Sequence, residues 1–391
     1  MKELSLEEGL FQRQTLYAEA RRVVVKVGSA VLTDARGIDE AAVARIAGQL
    51  AFLKNTGREV ILVSSGAIAA GRGRLGRAKT PNEPLKVKQA LAATGQGLLM
   101  QAYEQAFARL NLPVAQILLT HADLSNRRRY LNARNTLFTL FEFGAIPIIN
   151  ENDTVSAEEL RFSDNDFLAA LITNMIGADM LIILSDVDGL YTGNPSADPA
   201  ARPVYTVARI DARIEAMAGH ATSSVGTGGM AAKIRAAKMV AACGGSSFIG
   251  PGRRDDVMRA LFSGEPVGTS FLPDETRAIN SRKHWIAYVL RPEGELVVDA
   301  GAARALVDQG KSLLPSGIVE VRGQFGAGAP VHCMDRNGAL VAAGLSNYAS
   351  ADLARIRGKK TSEIAEILGH KDHDEAIHRD NLVLFGGGAE E

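Results

Sequence analysis

The chain has 391 residues, more than one hydrophobic core usually spans, so two domains are expected. Its 44 Lys and Arg residues balance its 44 Asp and Glu residues, which excludes strong long-range attraction to nucleic acid or an anionic membrane. The polar start of the chain and the lack of a long apolar run predict a cytoplasmic protein without a membrane span. Two distant cysteines, Cys243 and Cys333, fit a reducing compartment.

Short β-branched runs alternate with longer helical patterns from residue 22 to about residue 250. This alternation is typical of parallel strands joined by helical crossovers. Several runs are almost continuously apolar, as expected for strands covered by helices on both faces. We therefore predict an α/β domain over residues 19–275, in which helices sandwich a central, mainly parallel sheet of the strands Val23–Val27, Glu59–Val63, Val114–Leu118, Ile146–Ile149, Met180–Leu184 and Ser246–Ile249.

The pattern changes after residue 250, where turn-rich segments precede short strands. We place a domain boundary between about Pro273 and Pro292. A small β-rich domain is predicted over residues 293–385. The terminal segments 1–18 and 386–391 lack apolar periodicity, and we expect them to be loosely ordered tails. The strands predicted for the second domain are Leu296–Val298, Gly317–Val321, Val331–Cys333 and Leu340–Ala343.

The first predicted strand reads VVVKVGSA and places Lys26 near its end. A buried ammonium group needs an anionic partner. In isolation, a lysine that reaches the surface or pairs with a structural carboxylate is equally compatible with this position. Gly28 favours a phosphate site, because a glycine lets backbone N–H groups approach a phosphate closely.

The second strand leads through Ser64, Ser65 and Gly66 directly into a helix. Hydroxyls and free amides at a helix start can bind a carboxylate or a phosphate. Taken alone, a Ser-Gly pair is more often a simple helix cap. Its position beyond the carboxyl end of a strand, where ligands of parallel sheets collect, makes it a candidate site.

Acidic side chains gather after the fourth strand, in INENDTVS and SDNDFLAA. Such a cluster requires cations, amines or a metal to offset its own repulsion. Helix capping explains one or two of these acids, because acids favour the first turn of a helix. It does not explain the whole group, so we favour a functional site that includes Glu151, Asp153, Asp164 and Asp166.

Two further segments suit a nucleotide. The fifth strand ends in Ser185 and Asp186, and its loop could shape an adenosine pocket, although it is also an ordinary strand exit. Downstream, the glycines of VGTGGMAAK precede a helix that carries Lys233, which combines free amides with one ammonium group. No Walker A motif occurs in the sequence, so a nucleotide would need a different kinase fold.

Taken together, VVVKVGSAVL, VSSGAIAAG, INENDTVS, SDNDFLAA, LSDVDGLYT and GTGGMAAKI resemble the ordered motifs of the glutamate 5-kinases, members of the amino acid kinase superfamily. The resemblance implies ATP-dependent phosphorylation of the γ-carboxylate of L-glutamate to L-glutamyl 5-phosphate, the first step of proline biosynthesis. It implies direct in-line transfer, with Mg²⁺ on the ATP phosphates instead of a direct metal site in the protein. An ionised carboxylate needs no general base.

The resemblance also implies roles for single residues. Lys26 and Lys233 match the lysines that neutralise the transferring phosphoryl group, and Lys26 also contacts ATP. Asp164 and Asp166 match the carboxylates that orient those lysines and the metal-bound nucleotide. The residues that match the glutamate-binding set are Ser65, Asp153 and Asn165, and those that match the nucleotide-binding segments are Ser185, Asp186, Thr227, Gly228, Gly229, Met230, Ala231, Ala232 and Lys233.

The segments after residue 295 resemble a PUA domain, a module known for binding RNA. Between Gly294 and His370, 8 basic residues balance 8 acidic residues, which argues against strong RNA affinity. The family resemblance implies a homo-oligomer and feedback inhibition by proline. The alternatives are an amino acid kinase for aspartate, carbamate, N-acetylglutamate or a nucleoside monophosphate, and an RNA-binding regulator built on the kinase fold.

Overall fold

A computed structural model of the chain describes residues 5–34, 36–81, 83–156, 165–195, 197–219, 229–274, 283, 286 and 289–385. The chain divides into two compact units, Met1–Ala278 and Ile279–Glu391. Within the described residues, no helix combines the length and the apolar character that a membrane span requires.

The first unit contains a large sheet whose members agree closely with the predicted strands. Its strands, and those of a separate hairpin formed by the second and third, are β1 (Arg22–Val27), β2 (Thr33–Asp34), β3 (Gly37–Ile38), β4 (Glu59–Ser64), β5 (Val114–Leu119), β6 (Ile146–Glu151), β7 (Met180–Ser185), β8 (Thr206–Val207), β9 (Ser246–Pro251) and β10 (Thr269–Phe271).

Among the described residues, eight of these strands pair in the order β5-β6-β4-β1-β7-β9-β10-β8. Every neighbouring pair is parallel except β9 and β10, which are antiparallel. Strands β6 and β7 are buried along their whole length, as are Val23–Val27 of β1. Helices therefore cover both faces of the sheet, and the predicted α/β sandwich with a mainly parallel sheet is confirmed.

The helices of the first unit follow the crossover pattern. Side-chain caps fix several of their starts, since Asp39, Thr120 and Asn126 each accept hydrogen bonds from helix amides. The helices are α1 (Leu6–Glu19), α2 (Ser29–Leu32), α3 (Glu40–Asn55), α4 (Ala67–Arg74), α5 (Leu85–Ala108), α6 (His121–Ser125), α7 (Arg127–Glu142), α8 (Asn165–Ile176), α9 (Ala212–Met217), α10 (Met230–Ala241) and α11 (Val257–Phe262).

The start of the chain is a packed helix, so the expectation of a loosely ordered tail over 1–18 is wrong for residues 5–18. Ser5 caps α1 in a capping box with Glu8. The fully buried Arg13 donates hydrogen bonds to the backbone carbonyls of Glu265 and Val267. The Tyr17 hydroxyl donates to Ser270 Oγ at 2.5 Å, and burial raises the pKa of Tyr17 to about 12. Hydrogen bonds from the side chains of Arg13 and Tyr17 therefore anchor this helix.

Helices α4 and α5 cross with their backbones in direct contact. A Cβ atom on Gly95 would lie 1.9 Å from the carbonyl oxygen of Ala67, and one on Gly71 would lie 2.0 Å from that of Leu91. No side chain larger than hydrogen fits at either position without moving a helix. This crossing holds the middle of α5 close to the end of β4, from which α4 begins.

The second unit is β-rich, as predicted. Among the described residues, its five strands pair in the order β12-β11-β13-β14-β15 around a core that includes Leu296, Val331, Cys333 and Leu353. The strands are β11 (Gly294–Val298), β12 (Ile318–Gly323), β13 (Pro330–Met334), β14 (Leu340–Leu345) and β15 (Leu382–Leu384), and the helices are α12 (Ala300–Val307), α13 (Ser350–Ile356) and α14 (Ile364–Leu368).

Candidate active site

The carboxyl ends of β4, β1 and β7 lie side by side in the sheet. Lys26, the penultimate residue of β1, is in register with Val63 of β4 and Ile183 of β7. Helix α8 packs against β1 and against α10, so these two helices lie above the central strands. The fold therefore brings residues from β1, α8 and α10 together, although they are far apart in the sequence.

A buried ionic cluster forms at this point. The Asp166 carboxylate lies between two lysines, with Lys26 Nζ 2.5 Å from Oδ1 and Lys233 Nζ 2.9 Å from Oδ2. Asp166 is 0% exposed, Lys26 is 5% exposed and Lys233 is 4% exposed. We call these three residues the ionic cluster. The two ammonium groups and the one carboxylate give it a net charge of plus one.

The ionic cluster keeps its central carboxyl ionised. Burial raises the pKa of Asp166, but the ammonium groups of Lys26 and Lys233 together outweigh burial and hold that pKa below its ordinary value. A buried charge of one sign is strongly unfavourable without a partner. The carboxylate therefore holds two lysine side chains close together at the carboxyl end of β1.

A neutral network adjoins the ionic cluster, because Asn165 immediately precedes Asp166 on α8. The Asn165 Nδ2 donates to Ser65 Oγ at 2.7 Å, to the Ser64 carbonyl at 3.2 Å and to Asn150 Oδ1 at 3.0 Å. Asn150, the penultimate residue of β6, is buried and in turn donates to Gln96 Oε1 of α5 at 2.9 Å. We call Gln96, Asn150, Asn165 and Ser65 the amide network.

The structure thus brings two of the three predicted glutamate-binding residues into direct contact, Ser65 and Asn165. The third, Asp153, lies half-buried in the turn after β6, and no hydrogen bond among the described residues joins it to either of them. Gln96 was missed by sequence reasoning. Its one sequence signal is its position between two glycines, Gly95 and Gly97, on an otherwise continuous helix.

Two backbone turns lie beside these side chains, at Gly28 and Gly66. The Gly28 amide donates to the Leu184 carbonyl at 3.1 Å, which closes the exit of β1 onto β7. Gly66 has a φ of 116°, a conformation that favours glycine, and it starts α4 directly after Ser65. The Gly28 and Ser65 amides are thus engaged by backbone carbonyls, since Ser65 N donates to the Val27 carbonyl at 3.2 Å.

The predicted nucleotide segments lie at neighbouring strand and helix ends. Ser185 is buried at the end of β7, and its hydroxyl donates to the exposed Asp186 carboxylate at 2.9 Å. Gly229 begins α10 without a side-chain cap, and Met230, Ala231 and Ala232 form its first turn before Lys233. The predicted residues Asp164, Thr227 and Gly228 lie outside the described residues.

The described residues do not form a direct metal site. No group of three or more His, Cys, Asp or Glu side chains within the described ranges could hold a metal ion. Both oxygens of Asp166 face lysine ammonium groups, so this carboxylate is already engaged by cations.

Comparisons with known proteins identify the class of protein. The amino acid kinase family matches residues 21–249, and the PUA domain matches residues 294–368. The first match covers well over half of the chain and includes every element of the site described above. The chain belongs to the amino acid kinase family, and it is a phosphotransferase with a C-terminal PUA domain.

Curated relatives narrow this assignment. Glutamate 5-kinase of Desulfotalea psychrophila is 55% identical over 373 residues, which are 95% of this chain and 99% of the relative. Glutamate 5-kinase of Trichlorobacter lovleyi is 51% identical over 374 residues, which are 95% of this chain and 99% of the relative. Carbamate kinase from Giardia lamblia bound to AMP-PNP aligns with 66% of this chain and all of its own, at a TM-score of 0.48 and 18% identity. The first two relatives place the chain among the glutamate 5-kinases.

Proposed function

We propose that this protein transfers the γ-phosphoryl group of ATP to the γ-carboxylate of L-glutamate and produces L-glutamyl 5-phosphate. The relatives that are at least half identical over nearly the whole chain support this substrate pair. We further propose that this is the opening reaction of proline biosynthesis, which consumes an acyl phosphate of this kind. The observation that carries the proposal is the ionic cluster of Lys26, Asp166 and Lys233.

Phosphoryl transfer requires alignment of the reacting groups and neutralisation of the charge on the transferring phosphoryl group. Two lysines held 2.5 and 2.9 Å from one buried carboxylate are already oriented before a ligand arrives. Preoriented charges need no reorganisation during the reaction, and in a buried site they act more strongly than in water. Lys26 and Lys233 are therefore proposed as the catalytic cations, and Asp166 as the residue that positions them.

The acceptor of the phosphoryl group needs no activation by the protein. A glutamate side-chain carboxylate is ionised at neutral pH, so it can attack the γ-phosphorus atom without a general base. The bond from that phosphorus to the bridging oxygen of ADP breaks as the new bond forms, and ADP leaves. The absence of an enzyme nucleophile from this scheme makes it a direct, in-line transfer.

The amide network is proposed to bind the amino acid. Ser65 and Asn165 lie beside the ionic cluster on the same edge of the sheet, which places a bound amino acid next to the catalytic cations. Asp153 follows β6 on this edge and is proposed as a partner of the substrate ammonium group, and Asp164 stays a prediction from the sequence alone.

The nucleotide is proposed to lie between the end of β7 and the start of α10. The amides of Gly229, Met230, Ala231 and Ala232 begin α10, and helix starts favour phosphate. Ser185 and Asp186 lie at the neighbouring strand end, and we propose that they contact the nucleotide with Thr227 and Gly228. Mg²⁺, bound to the ATP phosphates, would supply further positive charge against the phosphate oxygens.

The direct test is ADP release from Mg-ATP with a panel of acceptors: L-glutamate, L-aspartate, N-acetylglutamate, carbamate and UMP. Hydroxylamine in the assay traps an acyl phosphate as a hydroxamate. We expect ADP and γ-glutamyl hydroxamate only with L-glutamate. ADP release with a different acceptor would overturn the substrate assignment, and addition of proline to the same assay tests the expected feedback inhibition.

A further inference from the structure

The amide network extends beyond the residues that match the glutamate-binding set. Gln96 projects from the middle of α5, half-buried, and its Oε1 accepts a hydrogen bond of 2.9 Å from Asn150 Nδ2. Asn150 connects it to Asn165 at 3.0 Å, and Asn165 connects to Ser65 at 2.7 Å. Three hydrogen bonds therefore link α5, β6, α8 and the end of β4.

Contacts with backbone groups reveal which way each amide in this network points. The Glu151 backbone N–H can only donate, and it lies 2.9 Å from Asn150 Oδ1, so the opposite end of Asn150 must be its NH2 group. The Ser64 carbonyl can only accept, and it lies 3.2 Å from Asn165 Nδ2. These two contacts show the polarity of the network, in which Gln96 presents its oxygen to Asn150.

This polarity leaves two specific groups for a ligand. The Asn165 NH2 group faces protein acceptors, so its carbonyl oxygen Oδ1 is available as an acceptor. Ser65 Oγ already accepts a hydrogen bond from Asn165, so its O–H group is available as a donor. Among the described residues, neither Asn165 Oδ1 nor the Ser65 proton has a hydrogen-bond partner.

An acceptor next to a donor is complementary to a molecule that carries an ammonium group next to a carboxylate. An ammonium group has three donors and no acceptor, and a carboxylate has acceptors only. The reversed orientation of the Asn165 amide would offer an NH2 group to the ammonium group and lose this match. The orientation of one side-chain amide is therefore part of the recognition of an α-amino acid.

We propose that Gln96 is a positioning residue that reinforces this polarity by holding the Asn150 NH2 group. The inference rests on the proposed function, since it takes an α-amino acid as the ligand. The backbone contact between Gly71 and Gly95 fixes the height of α5 above the sheet, and Gln96 directly follows Gly95. The helix crossing thus delivers the Gln96 oxygen to Asn150, and Asn150 holds Asn165 in the orientation that fits an amino acid.

The experiment compares two substitutions of the same length. Gln96→Met removes the acceptor oxygen and keeps the volume, whereas Gln96→Glu keeps an oxygen that can accept from Asn150. For Gln96→Met we expect KM for glutamate to rise about fivefold to tenfold, the loss that one neutral hydrogen bond corresponds to. We expect kcat and KM for ATP to stay within about twofold of the wild type, and Gln96→Glu to restore KM to within about threefold.

A matched control substitutes Gln105→Met, an exposed glutamine on the same helix, and should change no kinetic constant. Equal values of KM for glutamate in Gln96→Met and the wild type would overturn the proposal. So would a rise that Gln96→Glu fails to reverse, or a loss confined to kcat. A fall in melting temperature with unchanged KM would assign Gln96 a purely structural role.

A second measurement does not depend on catalysis. In ¹⁵N–¹H spectra of the full chain without substrate, the Asn165 NH2 signals are identified by their loss in Asn165→Ala. We expect these signals to shift in Gln96→Met and to keep their wild-type positions in Gln96→Glu. Unshifted signals in Gln96→Met overturn the positioning role. A wild type without glutamate-dependent ADP release, combined with the expected shifts, refutes the proposed substrate alone.

Discussion

The side chains of Asn165 and Asp166, two adjacent residues of α8, lie in two different environments. Asp166 is enclosed by two ammonium groups at 2.5 and 2.9 Å, whereas Asn165 contacts hydroxyl, amide and carbonyl groups without a formal charge. The first environment is organised by formal charge, with one carboxylate orienting both lysines. The second environment depends on the orientation of each side-chain amide, because the amide oxygen accepts hydrogen bonds and the NH2 group donates them.

The difference corresponds to the two tasks of a phosphotransferase. Neutralisation of a phosphoryl group is a matter of charge, while selection of one acceptor is a matter of hydrogen-bond direction. The two environments share a helix start, so α8 fixes their spacing. Substitutions in the ionic cluster should therefore act on turnover and stability, and substitutions in the amide network should act on the KM of the amino acid.

The largest effect is expected from Lys233→Met. Loss of a cation that stabilises the transferring phosphoryl group should lower kcat about 10⁴-fold, with a smaller effect on KM. Lys26 still pairs with Asp166, so the variant should stay folded. Steady-state ADP release and circular dichroism check this. Lys238→Met, an exposed lysine of the same helix, is the control, and wild-type turnover in Lys233→Met would exclude the catalytic role.

Asp166→Asn should reduce the free energy of unfolding by about 3 kcal/mol, because it leaves two buried ammonium groups without their shared carboxylate. Turnover should fall as well, since the lysines lose the group that orients them. Urea unfolding and kcat measure the two effects. Asp256→Asn, which removes an exposed partner of Arg254, should change neither, and a fully stable Asp166→Asn variant would contradict the account of the ionic cluster.

Ser65→Ala should raise KM for glutamate about tenfold and leave the free energy of unfolding almost unchanged. The substitution removes the O–H donor of the amide network and one acceptor of the Asn165 NH2 group. Asn165 keeps the Ser64 carbonyl and Asn150 as partners. Glutamate titrations at saturating ATP provide the measurement. Ser263→Ala, at an exposed hydroxyl, is the control. A loss in kcat with an unaltered KM would show that the two environments are not separate.

The smallest effect is expected from mild acid, acting on the free energy of unfolding. The pKa of Asp166 lies below its ordinary value of 3.8, so its stabilising contribution is fully present above that value and is lost as pH falls through the lower pKa of the folded protein. The difference in unfolding free energy between the wild type and Asp166→Asn should be constant from pH 7 to pH 5 and shrink only below pH 3.8. A difference that declines between pH 7 and pH 5 would place the pKa of this carboxyl too high for the ionic cluster.

The sequence predicted the central strands well, because buried parallel strands are continuous apolar runs between turn residues. Lys26 was selected because it lies near the end of such a run, Asp166 because it belongs to an acidic cluster after the fourth strand, and Lys233 because it follows a glycine-rich segment at a helix start. The short strands β10 and β8, of three and two residues at one side of the sheet, were not predicted, because so few residues carry no periodicity. Their pairing is decided by the neighbouring strands.

Two other features could not be predicted for a different reason. Arg13 of α1 donates to backbone carbonyls. Because every residue type has a backbone carbonyl, the sequence of the partner segment does not indicate this contact. Gln96 contacts Asn150, which is 54 residues away, and a single glutamine on a helix is ordinarily a solvated residue. Both depend on tertiary contacts that local patterns do not encode.

The attachment of α1 has a consequence for the order in which the domain forms during translation. Arg13 donates to the backbone carbonyls of Glu265 and Val267, which follow it in the chain by 252 and 254 positions, and Tyr17 donates to Ser270. A ribosome releases the chain from its N-terminus, so the first helix emerges long before its partners. On a nascent chain that ends before residue 265, Arg13 and Tyr17 lack these partners, so α1 makes these contacts only after the segment from Glu265 to Ser270 has been made.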